Sequence, residues 1–274
     1  MDMKKTIWKK YNGAIIPDHP PHLIFEKNNH EIKMNLIKKR SFFARWVSDF
    51  DSKEESSFWY VINDKSLTID DYSSSTRSKI RRGLKRFSVR RVNKEEIICN
   101  GYDTYTQAYK RYKTIMRPFS KERFLRHLDN LSDQWEFWGV YTKETNVLVA
   151  YSQNRVVANQ CNYSTIKFHA DYLKDYISYA LYFTMNNHYL NKKRLKYVNE
   201  GTRSILHKTN VQDFLIDKFK FRKAYCKLHI IYHPYISIII HLLYPARNIF
   251  SKSRLPFFQK IGVVLKQEEL RRNN

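Results

Sequence analysis

The stretch that most constrains this chain runs from Leu195 to Tyr232. It reads LKYVN, then EGTRSILHKTN, then VQDFLIDKF, then KFRKAYCKLHIIY. Alternating apolar and β-branched residues at either end predict strands, and the apolar spacing of VQDFLIDKF predicts a helix between them. The eleven residues from Glu200 to Asn210 form a polar loop holding Glu200, Gly201, Thr202, Arg203, Ser204, His207, Thr209 and Asn210. Glycine straight after a strand permits positive φ and close backbone approach. Thr209 or Asn210 is placed to cap the helix, whose free N–H groups favour negative charge nearby. A strand running into a polar loop that opens a helix is where α/β sheets hold ligands. The plainer alternative is a strand–helix connection with one glycine for its turn.

The elements upstream limit what can surround that unit. In YNGAIIPDHPPHLIF, Asn12-Gly13 signals a turn, the prolines forbid a helix, and Leu23 to Phe25 begins a short strand. His19 and His22 read as loop packing, so no metal is expected. Strands are predicted over Phe42–Asp51 and Ser56–Asp64, with Trp46 and Trp59 in a core. The serine run at Ser73 caps a helix with an apolar seam of Ile80, Leu84 and Phe87. Arg77, Lys79, Arg81, Arg82, Lys85 and Arg86 cover most of the rest of it, with no acidic partner inside the helix. This is an anion-binding helix or a solvated basic face. Gly83 weakens it or lets something approach closely.

From Phe87 the order becomes regular. A strand at Phe87–Val92 precedes helices at Tyr102–Met116 and Lys121–Leu131. Three antiparallel strands follow at Trp135–Thr142, Val147–Val157 and Gln160–Phe168, the last two joined by an Ala158-Asn159 turn. A long helix over Tyr172–Leu190 leads to the strand at Leu195, and a strand pair is expected up to Tyr232. Tyr235–Tyr244, YISIIIHLLY, is the most apolar run. It reads first as a terminal helix packed on the core or on a second subunit. The other reading is an interfacial helix on an anionic leaflet.

Charge and cysteine usage bear on partners. A formal net charge of +24 over 274 residues calls for an anionic partner, unless it reflects codon bias alone. Cys99, Cys161 and Cys226 lie far apart and form no CxxC, which argues against a disulfide framework or a zinc module. Cys226 falls inside a strand and reads as core. The N-terminal MDMKKTIWKKYNG lacks an apolar signal region, and no run reaches the ~20 apolar residues of a spanning helix. A cytoplasmic location is expected, extending to the inner face of the membrane.

The order strand, helix, helix, three antiparallel strands, long helix, strand, helix, strand across residues 87 to 232 resembles the GNAT acyltransferases. FLIDKFKFRKAY looks like their helix ending before a Gly-Phe strand, with Lys220-Phe221 in that place. TRSKIRRGLKR, Thr76 to Arg86, resembles the basic helix ahead of the acyltransferase domain in FemAB-type enzymes. YNGAIIP and FWYVI are similar to segments of the FemAB-like and BioF2-like acyltransferases of bacterial surface-polysaccharide loci. The resemblance implies an α+β fold: a GNAT-like domain with a mixed, mostly antiparallel sheet flanked by helices. It adds a partial N-terminal α/β lobe at residues 1–86 and a C-terminal helical tail at 233–274, around the acyltransferase domain at 87–232.

It also implies an N-acyltransferase that places an acyl or aminoacyl group on an amino group or hydroxyl of a cell-envelope sugar or precursor. The donor is acyl-CoA or aminoacyl-tRNA, and the acceptor is a sugar, a nucleotide-sugar or a lipid-linked sugar. In such a domain the fourth and fifth strands splay and the acyl group lies between them, which here means Gln160–Phe168 and Leu195–Asn199. Glu200, or else His207, is then the base, and Tyr163 or Tyr225 protonates the leaving group. Gly201, Arg203, Ser204, Thr209 and Asn210 bind substrate, with Arg203 suited to a carboxylate or phosphate. One departure stands out. Acetyl-CoA enzymes carry a glycine loop before the long helix, whereas KFHADYLKDY at Lys167–Tyr176 has no glycine. Two rivals are a nucleic-acid-binding module built on the basic helix and a non-catalytic GNAT-like subunit.

Overall fold

The computed structural model describes residues 7–24, 27–110, 118–205, 210–252 and 255–273. In chain order the elements are β1 (Trp8–Tyr11), β2 (Ala14–Pro17), α1 (Asn29–Lys38), β3 (Phe43–Ser52) and β4 (Phe58–Asn63). Then come α2 (Ser74–Arg86), β5 (Phe87–Val92), α3 (Lys94–Tyr109), α4 (Lys121–Asp129), β6 (Trp135–Thr142), β7 (Leu148–Val157) and β8 (Gln160–Phe168). The chain continues with α5 (Ile177–Asn186), β9 (Tyr197–Thr202), α6 (Asn210–Phe219), β10 (Arg222–Tyr232), α7 (Pro234–Leu243), α8 (Arg247–Lys252) and α9 (Pro256–Arg272). This is the expected α+β architecture, a mostly antiparallel sheet flanked by helices. The chain folds into two compact units, residues 1–61, 202–210 and 223–274 in the first, and residues 62–201 and 211–222 in the second.

In the first unit β1 and β2 form an antiparallel hairpin over Asn12-Gly13, whose φ angles of 48° and 82° supply the turn. The sequence showed that turn but not the strands beside it. β2 runs parallel to β3, and β3 pairs antiparallel with β10. β10 is one strand of 11 residues rather than the expected pair, because β3 partners it from Phe43 to Ser52 past a bulge between Tyr225 and Lys227. No strand forms at Leu23, and Phe25 lies outside the described residues. Instead Asn28 accepts N–H bonds from His30 and Glu31 and starts α1. Ile32 and Leu36, four apart, turn into a core with Trp8, Ile15, Ala44 and Trp46.

In the second unit the strand order is β9-β8-β7-β6-β5, antiparallel except for the parallel pair β8/β9. α3 and α4 cover one side through Ile97, Tyr105, Phe124 and Leu128, packed with Phe137, Tyr141, Leu148 and Tyr151. α5 and α6 pack together through Tyr179, Tyr182, Phe214 and Phe219, with ring centroids 5.1–6.1 Å apart. α3 begins at Lys94, eight residues earlier than the sequence placed it, because Asn93 caps it by accepting from Glu96 N.

The single long helix expected over Tyr172–Leu190 is three pieces. A 3-10 turn at Ala170–Asp175 ends on Tyr176 in the left-handed region (φ 64°), α5 follows, and a π-helical turn spans Asn187–Lys192. The wide turn carries the Tyr189 hydroxyl inside, where it accepts from Trp138 Nε1 at 2.9 Å and Asn154 Nδ2 at 3.3 Å. The apolar seam of α2 also differs from the expected one: Thr76, Ile80 and Gly83 are buried, while Leu84 is half-exposed.

α6 ends on Lys220 at φ 58°, and Phe221 N–H then bonds Leu215 O at 3.2 Å. A left-handed residue after a helix is ordinarily glycine, since a Cβ there costs about 1–2 kcal/mol. Lys220→Gly is therefore expected to raise stability by roughly 1 kcal/mol in urea unfolding, at the place where the sequence departs from a Gly-Phe pattern.

Candidate active site

The site is built on the two strands that part company. β8 and β9 pair at only three positions, Gln160 with Tyr197, Cys161 with Val198 and Asn162 with Asn199. β8 then continues to Phe168 along β7 alone, while β9 runs on to Thr202. The first residues past the parting are Tyr163 on one strand and Glu200 on the other. β9 therefore starts two residues later than the expected Leu195–Asn199 and ends three later, carrying Glu200, Gly201 and Thr202 within it.

Glu200 is half-buried. Burial raises its pKa from 4.5 to about 7, against a smaller lowering by Gln212. Gln212 Nε2 on α6 donates to Glu200 Oε2 at 3.4 Å, a long bond that leaves most of the desolvation uncompensated. Gly201 follows at φ 120°, with its N–H donated to Asn199 Oδ1 at 2.7 Å. A side chain added at Gly201 would meet nothing within 4 Å. The backbone beside the carboxylate thus lies next to open space.

Tyr163 faces the α5 side. Its hydroxyl donates to Asn186 Oδ1 at 2.8 Å, and burial holds its pKa well above the phenol range. It is a neutral phenol at every physiological pH.

Arg203, Ser204 and Tyr225 belong to the first unit. The Arg203 guanidinium lies 4.2 Å over the Trp59 ring and donates from Nη1 to Ser57 O, while its N–H bonds Trp59 O at 2.9 Å. Burial lowers its pKa. Lys223 sits 4.5 Å over the same indole, so Trp59 carries two cations. Tyr225 meets Trp59 edge-on at 6.1 Å and donates to Glu55 Oε1 at 3.0 Å. Ser204 is exposed, and Asn210 opens α6. His207 and Thr209 lie outside the described residues.

The basic helix turns much of its charge onto its own neighbours. Arg77 donates to Asp70 O at 3.2 Å, and Arg86 pairs with Asp175. Lys79 lies 5.5 Å over Tyr179 and Arg82 6.0 Å over Tyr176. Arg81 and Lys85 are exposed. Among the described residues no three His, Cys, Asp or Glu side chains are grouped to hold a metal ion. Cys161 and Cys226 are buried thiols with pKa pushed up by desolvation, Cys226 to about 12. Neither is poised as a nucleophile.

A coenzyme pyrophosphate would need a backbone cradle at the start of α5. There the chain places the 3-10 turn Ala170–Asp175, with His169 capping it, the carboxylates of Asp171 and Asp175, and the left-handed Tyr176. A turn with no glycine and two carboxylates, one of them paired with Arg86, does not make the backbone cradle that group needs.

Sequence reasoning missed Gln212 and the Tyr163–Asn186 pair. Gln212 in the first turn of a helix beside a strand-end glutamate was the one available signal.

No protein-family model matches the chain, and no curated protein sequence does. Among solved structures, FemX matches with a TM-score of 0.56 over 85% of each chain at 10% identity. L-PGS from Bacillus licheniformis matches with a TM-score of 0.48 at 11% identity, over 96% of this chain and 84% of that one. A GCN5-related N-acetyltransferase from Sphaerobacter thermophilus gives 0.43 at 11% identity, over 82% and 75%. The chain has the GNAT-type fold that it shares with FemX.

Proposed function

We propose that this chain is an acyltransferase that moves an acyl or aminoacyl group onto an amino group of a cell-envelope sugar or precursor, with Glu200 as the base. One observation carries the reading. β8 and β9 separate after Asn162 and Asn199, and the first residue beyond on β9 is a carboxyl tuned to about 7. A base works best with a pKa near the operating pH, where it is ionised yet still accepts a proton readily.

The step runs as follows. The acceptor nitrogen attacks the carbonyl carbon of the donor ester or thioester, and its proton passes to Glu200. Collapse of the tetrahedral intermediate breaks the bond to the leaving oxygen or sulfur, which takes the proton back from Glu200. The carboxylate is restored, so no second acid is needed. Tyr163, held by Asn186, shapes the floor where the strands part.

For the donor, the poor fit of a pyrophosphate at α5 favours an aminoacyl group carried on tRNA over acyl-CoA. The net charge of +24 supports the same choice. The reaction belongs in the cytoplasm, where such donors are made. The test is mass spectrometry of amino-sugar and lipid-linked acceptors after incubation with aminoacyl-tRNA or acyl-CoA. A mass gain that needs the charged tRNA and disappears in Glu200→Gln supports the reading. Transfer from acyl-CoA alone would overturn the choice of donor, and full transfer by Glu200→Gln would overturn the site.

A further inference from the structure

α7 is apolar on both faces: Ile236, Ile240 and Leu243 turn inward, and a second apolar face turns outward. Tyr235, Ile238, Ile239 and Leu242 recur at the spacing of one helix face, and that face points to solvent, with exposures of 74%, 61%, 47% and 70%. Only Ile240 of this helix is buried. A helix resting on a core ordinarily turns charged and polar residues to the outside. The terminal helix expected to pack on the core or on a second subunit therefore has an outer apolar face that stands exposed. Ile249 in α8 and Phe257 in α9 extend the apolar surface, at 73% and 70% exposed. Nearly half of the large apolar side chains that stand exposed among the described residues lie between Tyr235 and Phe258. Single exposed apolar residues are ordinary, but a concentration of this kind marks a contact surface.

The charge around it selects the occupant. From His233 to Gln267 the sequence holds no aspartate or glutamate, while Arg247, Lys252, Arg254, Lys260 and Lys266 are all basic. Lys260 stands exposed in the first turns of α9. The nearest carboxylates, Glu268 and Glu269, are bonded to Arg271, Arg272 and Lys266 of the same helix, so two copies of this face brought together would set like charges against each other. An apolar face whose flanking charge is predominantly basic is instead complementary to an anionic lipid leaflet, where aliphatic and aromatic side chains enter the acyl boundary and cations meet headgroups. Among the described residues no helix is long and apolar enough to cross a membrane, so the contact is with one leaflet.

We infer that the α7–α9 segment is a membrane-docking surface that seats the protein on an anionic bilayer, with α7 lying in the interface. The proposal is independent of the acyl-transfer reading, and its test needs no turnover.

The full chain is mixed with vesicles of phosphatidylcholine alone, or of equal parts phosphatidylcholine and phosphatidylglycerol, and bound protein is measured by flotation. A protein this basic will meet anionic vesicles electrostatically at low salt, so the deciding readout is retention at about 0.5 M salt, where exposed charges are screened. The wild-type chain is expected to stay bound to the mixed vesicles under those conditions. Ile238→Ser/Leu242→Ser, which alters only exposed positions, is expected to lose at least about tenfold in partitioning there. Lys260→Gln is expected to lose about fivefold at low salt, as one cation near the surface contributes. Circular dichroism confirms that each variant is folded. Complete release of the wild-type chain at high salt would overturn the proposal, as would retention of the serine variant at the wild-type level. A dimer in sedimentation velocity that the serine substitutions dissolve would assign the face to a second copy instead.

Discussion

Glu200→Gln is expected to lower acyl transfer by about 10²–10⁴-fold while making the protein more stable at pH 8. Both effects have one cause. The folded chain keeps this carboxyl neutral up to about pH 7, whereas in the unfolded chain it ionises near 4.5. Below pH 4.5 both states carry the proton, and the group contributes no pH dependence. Between 4.5 and 7 the folded state binds the extra proton, so stability falls as pH rises. Above 7 both states are ionised and the loss is complete, at most about 3 kcal/mol for a shift of this size. Glutamine keeps the shape and stays neutral, so the penalty disappears. Urea unfolding should show the variant above wild type by roughly 2–3 kcal/mol at pH 8, with the gap closing toward pH 4.5. Wild-type turnover should rise with pH through about 7, since only the ionised form accepts a proton. Equal stability of the two chains across this range would show that the carboxyl is well solvated, and the base assignment would fall with it.

How much of this was legible beforehand follows from how local each determinant is. β5, β6 and β8 have the bounds their residues predict, Phe87–Val92, Trp135–Thr142 and Gln160–Phe168. Their β-branched and aromatic content and the turns beside them are short-range signals. The Ala158-Asn159 turn adopts φ 46° and 59°, as its two-residue length requires. Glu200 could be singled out as a carboxylate at a strand end, but its proton affinity depends on burial beside Gln212 on another element. The break in the helix at Tyr176 could not be read. Nothing in KDYISYA forbids a continuous helix, and the left-handed residue is stabilised by the helix packed against it. The setting of Arg203 was hidden for a related reason: the indole it lies against, Trp59, is far away in sequence. α1, by contrast, carries local signals in its Asn28 cap and in Ile32 and Leu36, beyond the reach of the prolines that precede it.

The contact that holds the start of α5 is also where a single atom should cost most. Gly83 lies in α2 with Thr76 and Ile80 on the face turned to α5. A Cβ at Gly83 would stand 2.6 Å from the Tyr176 carbonyl oxygen and 3.1 Å from Ala180 Cβ. That oxygen cannot swing aside, because it accepts from Tyr179 N–H at 3.0 Å and Ala180 N–H at 3.2 Å. Glycine therefore stands in this helix for close approach, although it weakens the helix by about 1 kcal/mol relative to alanine. On an unpacked helix Gly83→Ala would stabilise. Here the two helices must move apart by several tenths of an ångström, and overpacking of that kind costs about 1–3 kcal/mol. Gly83→Ala should thus be destabilising on balance and Gly83→Leu more so, by at least about 3 kcal/mol. Lys85→Ala, exposed on the same helix, should stay within about 0.5 kcal/mol of wild type. The displacement has a chemical consequence as well. α5 carries Asn186, which holds Tyr163 where β8 leaves β9. Gly83→Ala should therefore reduce turnover even at pH and temperature where the chain remains folded, while the pH at which turnover rises stays at that of Glu200. A Gly83→Ala chain as stable as wild type would mean that α2 yields freely, and the rigid seat assigned to α5 would have to be given up.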